Sequence, residues 1–431
     1  MIMKTNLLSV FALLLGTLFV FLGNGLHGLL LPVRGAAEGY SSTTLGLLGT
    51  SWASGFVLGC LLAPNIVKRT GHVRAFSGFA ALLAIVALLT GIMVDPIWWI
   101  ALRAITGFST AGTCMIIESW LNERATNESR GMIFSLYIAI TLFGVVGGQM
   151  ILPLGDTSSP ILFMVIGIVY CLAMLPTTLS TAASPQPLNT VRLDLPSLLR
   201  TSPVACISIV FVGVANGAFG TLGPVFGREA GLADSTIAIM MSVTIFAGAI
   251  MQLPAGRLSD RIDRRYVVAG LAAIGGVAGL LMFAVQPANV TWLLILIAVY
   301  GATANAIYPV AVAHANDFTS SEDFVKVAGG LLLLYGIGTI IGPTISGPVM
   351  SNFGPYALFG VTATAHLLIA GYAVFRSRRR AALPVEERDA YTATVTSGTM
   401  ITPESLQLSP NAAPFPDEEA VAAEEPLAQA S

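Results

Sequence analysis

The sequence predicts an all-α polytopic membrane protein with twelve transmembrane helices in two pseudo-symmetric six-helix halves. Three observations predict it. Of 431 residues, 55% are hydrophobic and only 10% are charged, against about 25% charged in a soluble domain. Twelve apolar runs approach the ~20 residues that cross a bilayer. Landmarks of the first half recur in the second at one constant offset.

The composition comes first. A folded soluble protein needs a polar skin, and this chain has too few charges to make one. The bilayer is therefore the solvent for most of it. The 44 glycines suit close helix packing in lipid. A net charge of −2 gives no footprint for nucleic acid. Cys60, Cys114, Cys171 and Cys206 lie in apolar runs with no zinc or redox spacing, and read as small buried hydrophobes. No cofactor or metal site is indicated.

The runs cover roughly 7–31, 45–66, 75–95, 97–121, 132–154 and 160–180, then 204–226, 235–255, 266–286, 291–313, 325–350 and 354–376. The first is too long for a signal peptide and reads as an uncleaved helix. Asp95-Pro96 and Gln286-Pro287 mark turns between closely spaced runs. With twelve crossings, 18 of the 21 Lys and Arg residues fall on the side of the termini; Arg34 and Arg228 fall opposite, and Arg103 lies inside a span. By the positive-inside rule both termini are expected in the cytoplasm, in a bacterial inner membrane. Residues 1–180 form the first half and 204–376 the second, joined by a polar, proline-rich linker over 181–203. Residues 377–431 are expected to be a disordered cytoplasmic tail, because the stretch from 381 holds nine acids and one arginine among many Ala, Pro and Ser.

The repeat is direct. Asn24-Gly25-Leu26-His27-Gly28 with Pro32 matches Asn216-Gly217-Ala218-Phe219-Gly220 with Pro224, an offset of 192 residues (216 − 24). Arg69 pairs with Arg261 and Gly144 with Gly336 at the same offset. Parallel repeats of this kind place a substrate site near the midplane, between the halves.

Several motifs carry a family resemblance. Gly256-Arg257-Leu258-Ser259-Asp260-Arg261-Ile262-Asp263-Arg264-Arg265 resembles the signature loop of the major facilitator superfamily, with Asp263 in place of its second glycine. The first-half counterpart keeps only Lys68-Arg69-x-Gly71 and a later Arg74. The resemblance implies an ion-pair latch for gating, in which Asp260, Arg261 and Arg69 take part; basic loops also simply hold topology. Arg103-Ala-Ile-Thr-Gly107 is similar to the superfamily's fourth-helix motif. There the arginine is linked to proton coupling or substrate contact. An arginine in a span costs at least ~2.5 kcal/mol, and a snorkelling head that reaches water is the other explanation. Glu118 lies about 22 Å along the helix from Arg103, too far to pair with it. It is read either as a titrating acid or as a partner of Arg124 or Arg130, the second being favoured.

Lys68 to Gly71, Ile117-Glu118-Ser119, Glu128-Ser129-Arg130-Gly131 and Ile307-Tyr308-Pro309-Val310-Ala311 resemble the YcaD-like branch of the superfamily over nearly all of residues 1–376, and Gly338-x-x-x-Gly342-Pro343 fits as well. By overall similarity the chain also looks close to riboflavin uptake transporters of the RfnT type.

Asn24, His27, Trp52, Gln149, Asn216, Gln252, Asn305, Tyr308 and Tyr335 are the candidate substrate-binding residues. Buried amides in lipid need partners or a cavity, and each alternatively makes an interhelical hydrogen bond or packs. As a set they suit a neutral, planar, hydrogen-bonding cargo; a phosphorylated one would want two or more buried cations. The expected function is secondary active or facilitative transport of a small organic molecule by alternating access, with riboflavin uptake as the specific expectation. The alternative is a proton-coupled drug or metabolite exporter. Against it, Gly144-Val-Val-Gly147-Gly148-Gln149 lacks the proline of the exporter motif, which instead has a likeness at Gly338 to Gly347. No clustered acids, histidines or cysteines suggest a membrane enzyme. The expected partners are the cargo and the lipid bilayer, with no nucleic acid and a monomeric state.

Overall fold

The computed structural model describes residues 2–178, 195–319 and 323–379, together with residues 384, 388, 391, 402, 407–409 and 412. Most of the expected linker and tail therefore lies outside the described residues. Thirteen α-helices, and no strand, occur among the described residues. The first half comprises α1 (Ile2–Ala37), α2 (Ser42–Thr70), α3 (His72–Ile92), α4 (Pro96–Arg124), α5 (Arg130–Ile151) and α6 (Ile161–Thr178). A short α7 (Leu195–Thr201) follows, inside the stretch expected as linker. The second half comprises α8 (Pro203–Glu229), α9 (Asp234–Arg261), α10 (Arg264–Val285), α11 (Val290–Asn316), α12 (Phe324–Phe353) and α13 (Ala357–Ser377).

Eleven of these helices are long and apolar enough to cross a membrane, and α6 is a shorter apolar helix between two of them. The fold is thus the expected polytopic helical bundle. Its outer surface is apolar: Ile92, Ile250, Leu253 and Phe353 are all exposed, which is stable only where lipid is the solvent. Of the cysteines, Cys114 and Cys206 are buried while Cys171 is exposed on that surface.

The ends follow from local chemistry. Asp95 accepts hydrogen bonds from the Ile97 and Trp98 amides and Pro96 opens α4, so the expected turn is a capped helix start. Asn289 caps α11 in the same way. Gln286 ends α10 in the left-handed region at φ 45°. Gly71 sits at φ +80° between α2 and α3, a conformation glycine adopts without steric cost.

Alternate crossings put the termini on one face of the bundle, the terminal face. The α1–α2, α5–α6 and α8–α9 connections lie on the other, the distal face. Several helices outrun their apolar stretches at the terminal face: α9 continues through Asp260 and Arg261, so the signature motif is mostly helix. Charged side chains do not stop a helix that has left the hydrocarbon layer.

The distal ends of the halves are joined. Ser42 Oγ donates to Glu229 at 2.5 Å, the Thr43 amide donates to Ser351 Oγ at 3.0 Å, and Thr157 Oγ1 donates to Asp234 at 3.2 Å. Deeper in, Ser242 donates to Gln149 Oε1 at 2.9 Å, tying α9 to α5.

Candidate functional site

A cavity lies between the halves. Its walls are α1, α2, α4 and α5 from one half and α8, α9, α11 and α12 from the other. The helices that enclose it approach closely because glycine lines their contacts. A Cβ on Gly107 would run into the Trp52 carbonyl, so the glycine of the Arg103-x-x-x-Gly107 motif serves to seat α4 on α2.

Asn24, Trp52, Gln149, Asn216, Asn305 and Tyr335 line this cavity, and Arg103 joins them. Asn24 Oδ1 accepts from Tyr170 Oη at 2.8 Å and from Thr110 Oγ1 at 3.4 Å. Those bonds fix the carboxamide and leave its NH2 without a protein partner among the described residues. Asn216, at the equivalent place in the second half, donates from Nδ2 to Tyr335 Oη at 3.5 Å. Asn305 instead donates across to α9, to the Thr244 carbonyl at 3.2 Å, and back to Gly301 at 3.0 Å. Its amide nitrogen is engaged in helix packing, although the residue edges the cavity.

The Arg103 guanidinium lies over the Trp52 ring, 5.9 Å from its centroid, and Trp52 lies 5.3 Å from Phe56. Arg103 Nε has no hydrogen-bond partner among the described residues. Of the two explanations for an arginine in a span, the head therefore sits at the cavity wall. No Asp or Glu lines the cavity among the described residues, and Arg103 is its one cation.

Three expected cavity residues lie elsewhere. His27 is buried within the first half, its ring edge-on to Phe163 of α6 at 6.2 Å. Gln252 is buried on α9, two turns beyond the cavity residue Ile245 toward the terminal face. Tyr308 is buried behind Tyr335, with ring centroids 5.3 Å apart. All three are packed among helices outside the cavity lining, and the His27 ring nitrogens and the Tyr308 hydroxyl find no hydrogen-bond partner there among the described residues. Conversely, Thr110, Phe219 and Tyr300 line the cavity unanticipated. Thr110 follows Arg103 by seven residues, two helical turns, so that spacing placed it on the same face.

The signature segment forms an ion-pair cluster at the terminal face. Arg264, 1% exposed, lies 3.4 Å from Asp260 and 3.1 Å from the buried Asp317 at the end of α11. Arg265 pairs with Asp263 at 2.7 Å and donates to the Arg376 carbonyl of α13 at 3.3 Å. The cluster ties α9, α10, α11 and α13 of one half together. Arg261 and Arg69, expected in the latch, are exposed. Glu118 is fully buried; it accepts from Tyr137 Oη at 2.7 Å and from Thr402 of the tail.

Comparison with known proteins agrees with this architecture. The sequence model described as the Major Facilitator Superfamily matches residues 13–233 and 205–415. The chain is 26% identical over 372 residues to the MFS-type transporter YcaD of Escherichia coli, covering 85% of this chain and 95% of that one. Among solved structures, the nucleoside transporter NupG matches with a TM-score of 0.68 at 18% identity, over 86% of this chain and 98% of that one. A bacterial homologue of the human lysosomal transporter Spinster, inward-facing and unoccupied, matches with a TM-score of 0.71 at 15% identity, over 89% and 98%. An all-helical bundle with a cavity between two halves and a family match spanning both is the work of a transporter, not an enzyme, and the chain belongs to the Major Facilitator Superfamily.

Proposed function

We propose that this transporter carries a small, planar, hydrogen-bonding solute by alternating access, with riboflavin uptake as its specific activity. The observation behind this is the cavity wall itself. Trp52, backed by the Arg103 guanidinium, offers a flat face for stacking, and Asn24 and Asn216 offer carboxamides from equivalent positions of the two halves. One cation without a second suits a neutral or weakly acidic ring system better than a phosphorylated one. The isoalloxazine ring of riboflavin, with its imide edge, fits that chemistry. A nucleoside offers a smaller version of it, which makes uridine the natural competitor in an assay. An exporter that coupled protons at the cavity would need a titrating acid there, and none lines it among the described residues. The excess of Lys and Arg on the terminal face supports an inner-membrane protein with both termini in the cytoplasm.

The test is growth and uptake in a bacterium that neither makes nor imports riboflavin. Expression should restore growth on low riboflavin and give saturable uptake of labelled riboflavin. Trp52→Ala and Asn216→Ala should each cut initial uptake by about tenfold or more at unchanged membrane levels, a loss of at least ~1.4 kcal/mol. Normal insertion with no uptake would remove the riboflavin assignment.

A further inference from the structure

We propose that the terminal face contains a docking site, centred on Glu118, for Thr402, Leu408, Ser409 and Ala412 of the chain's own C-terminal tail, and that these docked residues hold the two halves apart at that face.

Tail residues far beyond α13 contact the bundle at both halves. On the second half, the Arg388 guanidinium donates to the Ile262 carbonyl at 2.6 Å and the Tyr391 amide donates to Asp260 at 3.2 Å. The Tyr391 ring lies on Gly256 of the signature motif, where a Cβ would strike it. On the first half, Thr402 donates from its amide to both Glu118 oxygens, at 3.3 and 3.2 Å, and from its hydroxyl to Oε2. Thr402 and Leu408 are fully buried, and Ser409 and Ala412 are nearly so. Leu408 and Ala412 belong to one apolar cluster with Leu13, Trp120 and Tyr137 of the first half and Ile245, Phe324 and Ala328 of the second. Leu408 and Ala412 thus join a cluster that draws on apolar side chains of both halves.

The chemistry of the site explains its occupant. A fully buried carboxylate needs hydrogen bonds, and beside the Tyr137 hydroxyl a single threonine gives Glu118 both its amide and its hydroxyl. The neighbouring apolar side chains then accept a leucine. The ligand is a short segment with a threonine and, six residues on, a leucine.

The consequence rests on the alternating-access reading. The distal seal can open only as the terminal ends of the halves close on each other. Tail residues docked between those ends oppose that closure, so they must leave for the cycle to proceed. The tail is then a built-in brake.

The experiment uses the full chain with its four native cysteines replaced, and a membrane-impermeant maleimide as probe. Ser409→Cys should label at least tenfold more slowly in membranes than in the urea-unfolded protein. Adding Leu408→Asp, or separately Thr402→Val, should raise that rate severalfold or more. Labelling at the unfolded rate without either change overturns the docking site, as does a slow rate that neither change alters. The brake is read independently with Leu48→Cys, a cavity residue labelled from the distal face. Leu408→Asp should speed that labelling at least threefold. An unchanged rate, alongside the expected Ser409→Cys results, would keep the docking site and overturn the brake. Failure of riboflavin uptake affects neither readout.

Discussion

Asp263 occupies a position where the superfamily loop carries a glycine, and its local bonds account for it. The carboxylate accepts from the Arg265 amide at 3.0 Å, capping α10, and pairs with the Arg265 guanidinium at 2.7 Å. Burial pushes its pKa up, but the hydrogen bonds from Arg265 outweigh that and hold it below the usual carboxylate range. A depressed folded pKa means the stabilisation is complete above the unfolded pKa of about 4 and is lost as pH falls through the folded value. Asp263→Ala should therefore lower unfolding stability by about 1 kcal/mol near neutral pH. Asp263→Asn keeps a capping oxygen and should lose less. The gap between the wild type and Asp263→Asn should narrow as pH drops below about 4. Thermal unfolding in detergent checks this, and equal melting of wild type and Asp263→Ala at neutral pH would refute it. At this scale the sequence was a partial guide. Asn24 and His27 stand in one motif, yet the cavity takes the first and the first half's interior takes the second. A polar residue in an apolar run announces a partner without saying on which side of the helix it lies. Asp317, the buried partner of Arg264, gave no signal because nothing in its own neighbourhood names an arginine 53 positions earlier.

Helix against helix, the Gly338-x-x-x-Gly342-Pro343 run acts through contact. A Cβ on Gly338 would meet the Val210 carbonyl, and one on Gly342 the Val214 carbonyl, so α12 lies backbone to backbone on α8. This is the small-residue packing that lipid favours, since no hydrophobic effect separates helices from tails. Gly342→Val must push the two helices apart and should cost about 1–3 kcal/mol, seen as a lower melting temperature in detergent. The same change at Gly28, where a Cβ meets nothing within 4 Å, should leave melting nearly unchanged. Comparable melting of the two variants would count against the contact argument. Elements were the most legible level of the fold. Apolar runs, Asp95-Pro96 and Gln286-Pro287 located spans and turns, because the bilayer imposes a length and the turn residues impose an end. Helix ends at the terminal face escaped, since hydropathy registers where lipid stops and not where the helix does.

Across the whole molecule, the duplicated halves were visible from the 192-residue offset, but their conformation was not. Nothing in the composition of the acidic tail indicated that Thr402 and Leu408 would be buried, because composition averages over a segment while docking needs only a few residues of it. Nor could the sequence tell which face is sealed. The structure joins the distal ends, with Thr43 Oγ1 2.9 Å from Ser351 Oγ and Thr50 Oγ1 2.8 Å from Thr344 Oγ1 across α2 and α12. If these helices separate whenever the cavity opens to the distal side, a covalent tie between them must stop that opening. Thr43→Cys with Ser351→Cys brings two thiols within reach of a disulfide, whose Cβ atoms need lie about 3.5–4.5 Å apart. In a background otherwise free of cysteine except Leu48→Cys, mild oxidation should form the Thr43→Cys to Ser351→Cys bond. It should then cut distal labelling of Leu48→Cys by at least tenfold, and reductant should restore it. Because the tie acts at the seal itself, the block should persist when Leu408→Asp releases the tail. Unchanged labelling after verified cross-linking would mean that cavity access on the distal side does not pass between α2 and α12.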